Sequence, residues 1–222
     1  MKKWMSWIWP RVIKRTRGKI SPVLEVSWEN GRKVLNARYV NYSYGSLHDV
    51  FRIALRNVVD LSDPPRNVLI LGFGVGSIAS ILTEEMKISC TLTGVEADEE
   101  VIRLGKEEFD TGRFSGLRIV HLRAENFVRQ CSEEFDLIAI DVFVEDKVPR
   151  SLMNEEFLLR VEKLLSAKGR VVMNIMENDS SGGGGFRRLF QSVFSSPQAN
   201  DLDMGVSVNR LLTGSKKKKS IS

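Results

Sequence analysis

Cysteine and histidine are nearly absent from these 222 residues, at two each. Cys90 and Cys131 stand far apart with no C-x-x-C pairing, so a disulfide framework is excluded and a reduced, cytoplasmic protein is expected. His48 and His121 have no companions at metal-ligand spacing, so no metal is expected. Long apolar runs are missing too. Nothing approaches the roughly 18 residues of a membrane span, and the apolar part of residues 1–10 is too short, without a small-residue cleavage site, for a secretory signal. Stable membrane insertion is therefore not expected. A continuous basic face is also lacking. The formal charge is +5, but residues 1–22 hold seven Lys/Arg and no acid, and residues 216–219 add four lysines, leaving 22 basic against 28 acidic residues between the two ends. A groove tracking phosphates would have to be built from the ends alone, so no nucleic-acid partner is expected. The acidic body suits a small cationic ligand better.

What the chain has is one strong turn, around which the rest is arranged. Asn67-Val68-Leu69-Ile70-Leu71 reads as a strand buried on both faces. Gly72-Phe73-Gly74-Val75-Gly76-Ser77 turns out of it into the helical pattern Ile78-Ala79-Ser80-Ile81-Leu82, so backbone N–H groups can face a ligand with no Cβ in the way. A dinucleotide fingerprint wants its third glycine at 77, where Ser77 stands. The spacing therefore favours an adenosyl-sulfonium ligand over a nicotinamide dinucleotide.

Four segments follow from composition. Residues 1–22 form a Trp-rich basic arm, with Trp4, Trp7 and Ile8 on one helical face, read as docking on its own domain or a partner subunit rather than on a membrane. Residues 23–63 hold a β-hairpin, with the strand 23–28, an Asn30-Gly31 type I′ turn and a return strand 33–40, then a polar aromatic loop 41–48 and a helix marked by Val50, Phe51, Ala54, Leu55 and Val58. Residues 64–214 alternate strands and helices, implying parallel strands with crossover helices. Residues 92–95, 117–120, 135–140, 170–175 and 206–212 read as its further strands. Residues 99–109, 124–131, 155–165 and 186–194 read as helices, the first capped by Asp98. The glycine-rich run 178–185 is expected to hold no regular structure, and residues 215–222 form a disordered Lys-rich tail. The fold class is α/β, a Rossmann-like sheet, mostly parallel with an antiparallel last strand, carrying a small N-terminal β-hairpin domain. The hairpin has too little of its own chain to cover, which points to a homodimer.

Glu96 ends the second strand about twenty residues past the glycine turn, where a carboxylate accepts hydrogen bonds from both ribose hydroxyls. Asp141 ends the fourth strand on the edge where open α/β sheets gather reacting groups; it either takes a proton from an attacking amine or braces the cofactor. The candidate cofactor-binding set is Gly72, Phe73, Gly74, Gly76, Glu96, Ala97, Ala124, Glu125 and Asp141, with Asp141 as the candidate catalytic residue.

The order of this turn, Gly94-Val95-Glu96, Arg123-Ala124-Glu125-Asn126-Phe127, Phe135-Asp136-Leu137-Ile138-Ala139-Ile140-Asp141 and Asn154-Glu155-Glu156-Phe157 resembles spermidine synthases, a branch of the class I S-adenosylmethionine-dependent methyltransferase fold. The resemblance covers roughly residues 23–212 and implies a nucleoside site at Gly72, Gly74, Gly76 and Glu96. It also exposes departures. Where that family reads Gly-Gly-Gly-Asp-Gly, this chain places Val75 at the aspartate. Its Asp-x-x-Asp keeps Asp141 but has Val144 second, with Glu145 and Asp146 nearby as substitutes only by a shift of register. Its Asp-Ala is Arg123-Ala124, and its Tyr-His-Glu is Phe51-Arg52-Ile53. The resemblance thus implies a transferase on a small-molecule substrate, using S-adenosylmethionine or its decarboxylated form. Methyl transfer is the simplest reading, polyamine aminopropyl transfer the alternative, and a non-catalytic nucleoside binder the third. With Val75 unable to repel a carboxylate, S-adenosylmethionine is expected to bind at least as tightly as the decarboxylated donor.

Overall fold

The structure, a computed structural model, describes residues 11–37, 41–43, 46–144, 147–176, 183–203 and 208–217. The chain first builds an antiparallel sheet of β1 (Arg11–Thr16), β2 (Leu24–Glu29), β3 (Arg32–Ala37) and β4 (Asn41–Ser43), in that order. Asn30 and Gly31 take φ 48° and 75°, the left-handed pair that their turn requires. β1 corrects the expected arm over residues 1–22, because it pairs with β2 from Arg11↔Trp28 to Thr16↔Leu24. Three basic side chains of this segment are paired from within the chain. Lys14 Nζ lies 2.9 Å from Glu107, Arg15 Nε 2.7 Å from Glu25, and Lys19 Nζ 3.0 Å from Glu99. The tryptophans of residues 1–10 lie outside the described residues.

Helix α1 (Ser46–Val58) starts earlier than expected, so His48 sits in its first turn rather than in a loop. The second sheet then grows by β5 (Asn67–Leu71), α2 (Ser77–Ser80, continued by a wider π turn over Ile81–Glu85), β6 (Thr91–Glu96), α3 (Glu99–Phe109), β7 (Leu117–His121), α4 (Ala124–Gln130), β8 (Phe135–Ile140), α5 (Glu155–Leu164), β9 (Leu165–Met176), α6 (Gly183–Val193), β10 (Ser195–Asp203) and β11 (Val208–Ser215). Its strand order is β10-β11-β9-β8-β5-β6-β7. Strands β9, β8, β5, β6 and β7 run parallel, and β11 is antiparallel to both neighbours. This is the Rossmann-like methyltransferase sheet with its antiparallel last strand.

The unbroken apolar runs of the central strands follow from cover on both faces. Leu69, Leu71, Ile138, Ile140 and Met173 share one cluster with Phe127, Leu158 and Phe190 from α4, α5 and α6. Val68, Ile70, Leu137 and Ala139 share another with Phe51 and Leu55 of α1 and Ile81 and Leu82 beyond α2. A third cluster joins the two sheets: Leu24, Val26 and Leu35 pack on Val75, Val101, Leu104 and Phe109.

Three further expectations change. Helix α6 begins inside the glycine run, at Gly183, while residues 177–182 lie outside the described residues. β10 was not anticipated; Ser195-Ser196-Pro197-Gln198-Ala199-Asn200 is polar because the strand lies at the edge of the sheet. The tail is anchored at its start. Ser215 pairs with Arg170, Lys216 N donates to Gly169 O at 3.1 Å, Lys216 Nζ donates to Leu165 O, and Lys217 Nζ to Ser192 O at 2.8 Å.

Candidate functional site

The carboxyl ends of β5, β6 and β8 border a half-open crevice on the edge where open α/β sheets gather ligands. The turn after β5 forms its floor. Gly72, Gly74 and Gly76 have φ 81°, 57° and 96°, which L side chains adopt only under strain. At Gly72 a Cβ would lie 2.1 Å from Asp141 O. Its absence lets Asp141 N donate to Leu71 O at 2.8 Å and brings the end of β8 against the turn.

Glu96 is 5% exposed. Its Oε2 accepts from Gly74 N at 2.9 Å, and its Oε1 from Ala97 N at 2.8 Å and Asp98 N at 3.0 Å. Glu96 therefore grips the glycine turn directly, with acceptor capacity left on Oε2 for a ribose hydroxyl. Burial pushes its carboxyl up, the Asp98 charge adds to this, and the three N–H donors oppose it. Asp98, wholly buried, caps α3 by accepting from Glu100 N at 3.1 Å and also holds residues 19–21.

Asp141 lies on the crevice with its carboxyl pushed up to about 7 by burial; the charge of Glu96 pushes the same way, and Asn174 pulls it back. Asn174 Nδ2 donates to Asp141 Oδ1 at 3.2 Å from the carboxyl end of β9. Asn174 is 1% exposed, and its side-chain oxygen accepts no hydrogen bond from the described residues. Sequence reading missed it, although one amide among Val171, Val172, Met173 and Ile175 was the available signal.

Seven of the nine candidate residues line the crevice: Gly72, Gly74, Glu96, Ala97, Ala124, Glu125 and Asp141. Phe73 and Gly76 are not among its lining residues. The Phe73 ring lies over Gly94, where a Cβ would meet it at 2.4 Å, and a Cβ on Gly76 would meet Phe114 at 2.6 Å. Both pack the back of the turn. The crevice also takes in Ile20, Leu122, Arg123 and Phe143. Among the described residues the exposed Arg123 guanidinium has no ion-pair or hydrogen-bond partner, whereas Glu125 accepts from Ser151 Oγ at 3.2 Å. Val75 is fully buried in the cluster between the sheets, and Val144 is 39% exposed at the crevice rim. Glu145 and Asp146 lie outside the described residues. His121 Nε2 is 3.1 Å from Ala97 O, and His48 is buried beneath α2. Among the described residues no three His, Cys, Asp or Glu side chains converge as for a metal, and no helix is long and apolar enough to cross a membrane. A Cβ-free floor, a buried carboxylate beside it and apolar walls at Ile20 and Leu122 fit an adenosyl group.

The spermine/spermidine synthase domain model matches residues 49–178. The polyamine aminopropyltransferase of Vibrio vulnificus is 30% identical over 113 residues, which cover 50% of this chain and 38% of that protein. That of Saccharolobus solfataricus is 26% identical over 122 residues, covering 52% and 40%. The chain thus matches about two fifths of the length of these curated relatives. Among solved structures, a probable spermidine synthase from Corynebacterium glutamicum superposes with TM-score 0.73 at 21% identity, over 93% of this chain and 81% of that one. Human methyltransferase-like protein 13 in complex with SAH does so with TM-score 0.67 at 17% identity, over 80% and 85%. At these identities the likeness is one of fold.

Proposed function

This chain belongs to the spermine/spermidine synthase domain family, and from that premise we propose that it alkylates an amine with the carbon of an adenosyl-sulfonium donor, its leading form being aminopropyl transfer from decarboxylated S-adenosylmethionine to a polyamine. The observation that carries this reading is Asp141, a crevice carboxyl pushed up to about 7. The donor supplies an electrophilic carbon beside a positive sulfur. The protein has to present a neutral amine in line with it, and a base near neutrality removes an ammonium proton far better than an ordinary aspartate does. Glu96 and the glycine turn would hold the nucleoside, leaving Asp141 to orient and deprotonate the amine.

Methyl transfer from S-adenosylmethionine is the second reading. It is favoured by Val75 and Val144, which offer no carboxylate to a propylamine tail, and by Arg123, which offers the donor's carboxylate a cation. The released nucleoside separates the two. Purified protein given both donors and putrescine is expected to form methylthioadenosine from the decarboxylated donor. S-adenosylhomocysteine instead would establish the second reading, and neither product would overturn the proposal. A cytoplasmic homodimer belongs to the same proposal, since the edge strand β1 exposes Val12 at 42% and Ile13 at 44%; a monomeric mass by light scattering at micromolar concentration would contradict the dimer.

A further inference from the structure

The connection between β1 and β2 lies against the carboxyl end of β6. Gly18 N donates to Ser21 O at 2.9 Å, closing a tight turn around a carboxylate. Lys19 N donates to Asp98 Oδ1 at 3.2 Å, and Ile20 N and Ser21 N donate to Asp98 Oδ2 at 2.9 and 3.3 Å. A Cβ on Gly18 would stand 2.1 Å from Asp98 Oδ2, so the approach requires glycine there. A helix cap needs one N–H, and Glu100 N supplies it at 3.1 Å. The three donors from residues 19–21 go beyond capping. Ile20, held at the centre of this turn, lines the nucleoside crevice together with Glu96 and Ala97. Among the described residues it is the one lining residue that comes from the N-terminal sheet. The two grips are joined through one short stretch of chain: Glu96 accepts from the backbone of Ala97 and Asp98, while the Asp98 side chain accepts from the loop.

Resting on the nucleoside reading of the crevice, we propose that the β1–β2 loop is a fixed wall of the ligand site, that Ile20 is a contact residue for the bound nucleoside, and that Asp98 is a positioning residue acting through Ile20. An apolar side chain over a ligand excludes water from the hydrogen bonds beneath it and adds buried apolar surface of its own. Truncation at 20 removes that cover without touching Glu96. A methyl group at 18 displaces the loop from Asp98 while leaving the α3 cap in place.

The test is calorimetric titration of methylthioadenosine into the full-length protein, with thermal unfolding measured in parallel. Ile20→Ala is expected to weaken binding about tenfold with little change in unfolding temperature, and Ile20→Leu to restore most of it. Gly18→Ala is expected to weaken binding to a similar extent. Lys19→Ala, whose side chain reaches only the exposed Glu99, should bind like wild type. Should Gly18→Ala fail to fold, the two Ile20 variants still decide. Wild-type binding with Ile20→Ala within twofold of it overturns the wall and leaves the nucleoside site standing. A wild type that does not bind methylthioadenosine overturns both.

Discussion

Asp141, the proposed base, is hydrogen-bonded by Asn174. The Asn174 amide favours the charged carboxylate, against burial and the Glu96 charge, which favour the neutral acid. Asn174→Ala is therefore expected to move the acidic limb of the pH–kcat/KM profile upward by about half a unit to one unit; an unmoved limb would remove Asp141 from the role of base. The same shift fixes a stability trend. A carboxyl raised from 3.8 to about 7 stabilises the fold below its unfolded value and loses that contribution as pH rises through 7. Asp141→Asn should accordingly be more stable than wild type at pH 8, by roughly 2 kcal/mol, with the gap narrowing as pH falls below 7 and closing only near the unfolded value of 3.8. Asp141 was legible in sequence because it ends a buried apolar run on the reactive edge of the sheet. Glycine spacing, in contrast, marks where chains approach closely without saying from which side. Gly72 and Gly74 face the crevice while Gly76 faces Phe114, and only the packed structure separates them.

The elements carrying the turn are clamped from behind by α1. His48 Nδ1 lies 2.6 Å from Ser77 Oγ at the start of α2, and its Nε2 lies 2.7 Å from Glu85 Oε1 at the end of the following π turn. Arg52 Nε adds a 2.6 Å bond to Glu85 and holds that carboxyl down at about 2. Burial pushes His48 below its ordinary 6.5, so the neutral ring is the one that fits. Its contribution is present above 6.5 and lost as pH falls through the depressed folded value. Replacing it by His48→Gln should cost about 2 kcal/mol at pH 7.5 and progressively less toward pH 5, as measured by denaturant unfolding. Elements with internal signals were legible, namely the Asn-Gly hairpin, the Asp98-capped α3 and the central strands. β1 was not, because the acids that neutralise Lys14 lie 93 residues away in sequence. β10 was not, because a polar edge strand lacks the apolar pattern by which strands are recognised.

At the scale of the molecule, the N-terminal sheet is docked by the apolar cluster of Leu24, Val26, Leu35, Val75 and Leu104, with ion pairs around its rim. Exposed pairs such as Lys19–Glu99 contribute little, being screened by solvent, whereas truncating a fully buried leucine costs about 2–5 kcal/mol. Leu35→Ala should therefore destabilise the protein by about 3 kcal/mol, while 1 M salt shifts its unfolding temperature by only a few degrees; the reverse order would place the docking in the charges. The docked sheet and the crevice then form one unit, for which we propose an adenosyl thioether as ligand. The most direct measurement is titration of methylthioadenosine into wild-type protein and into Ala97→Phe, which fills the crevice beside Glu96 without disturbing the glycine turn. Saturable one-to-one binding by wild type and its loss in Ala97→Phe, with both proteins folded, is the expected result; no binding by wild type, or equal binding by the filled variant, would contradict the account.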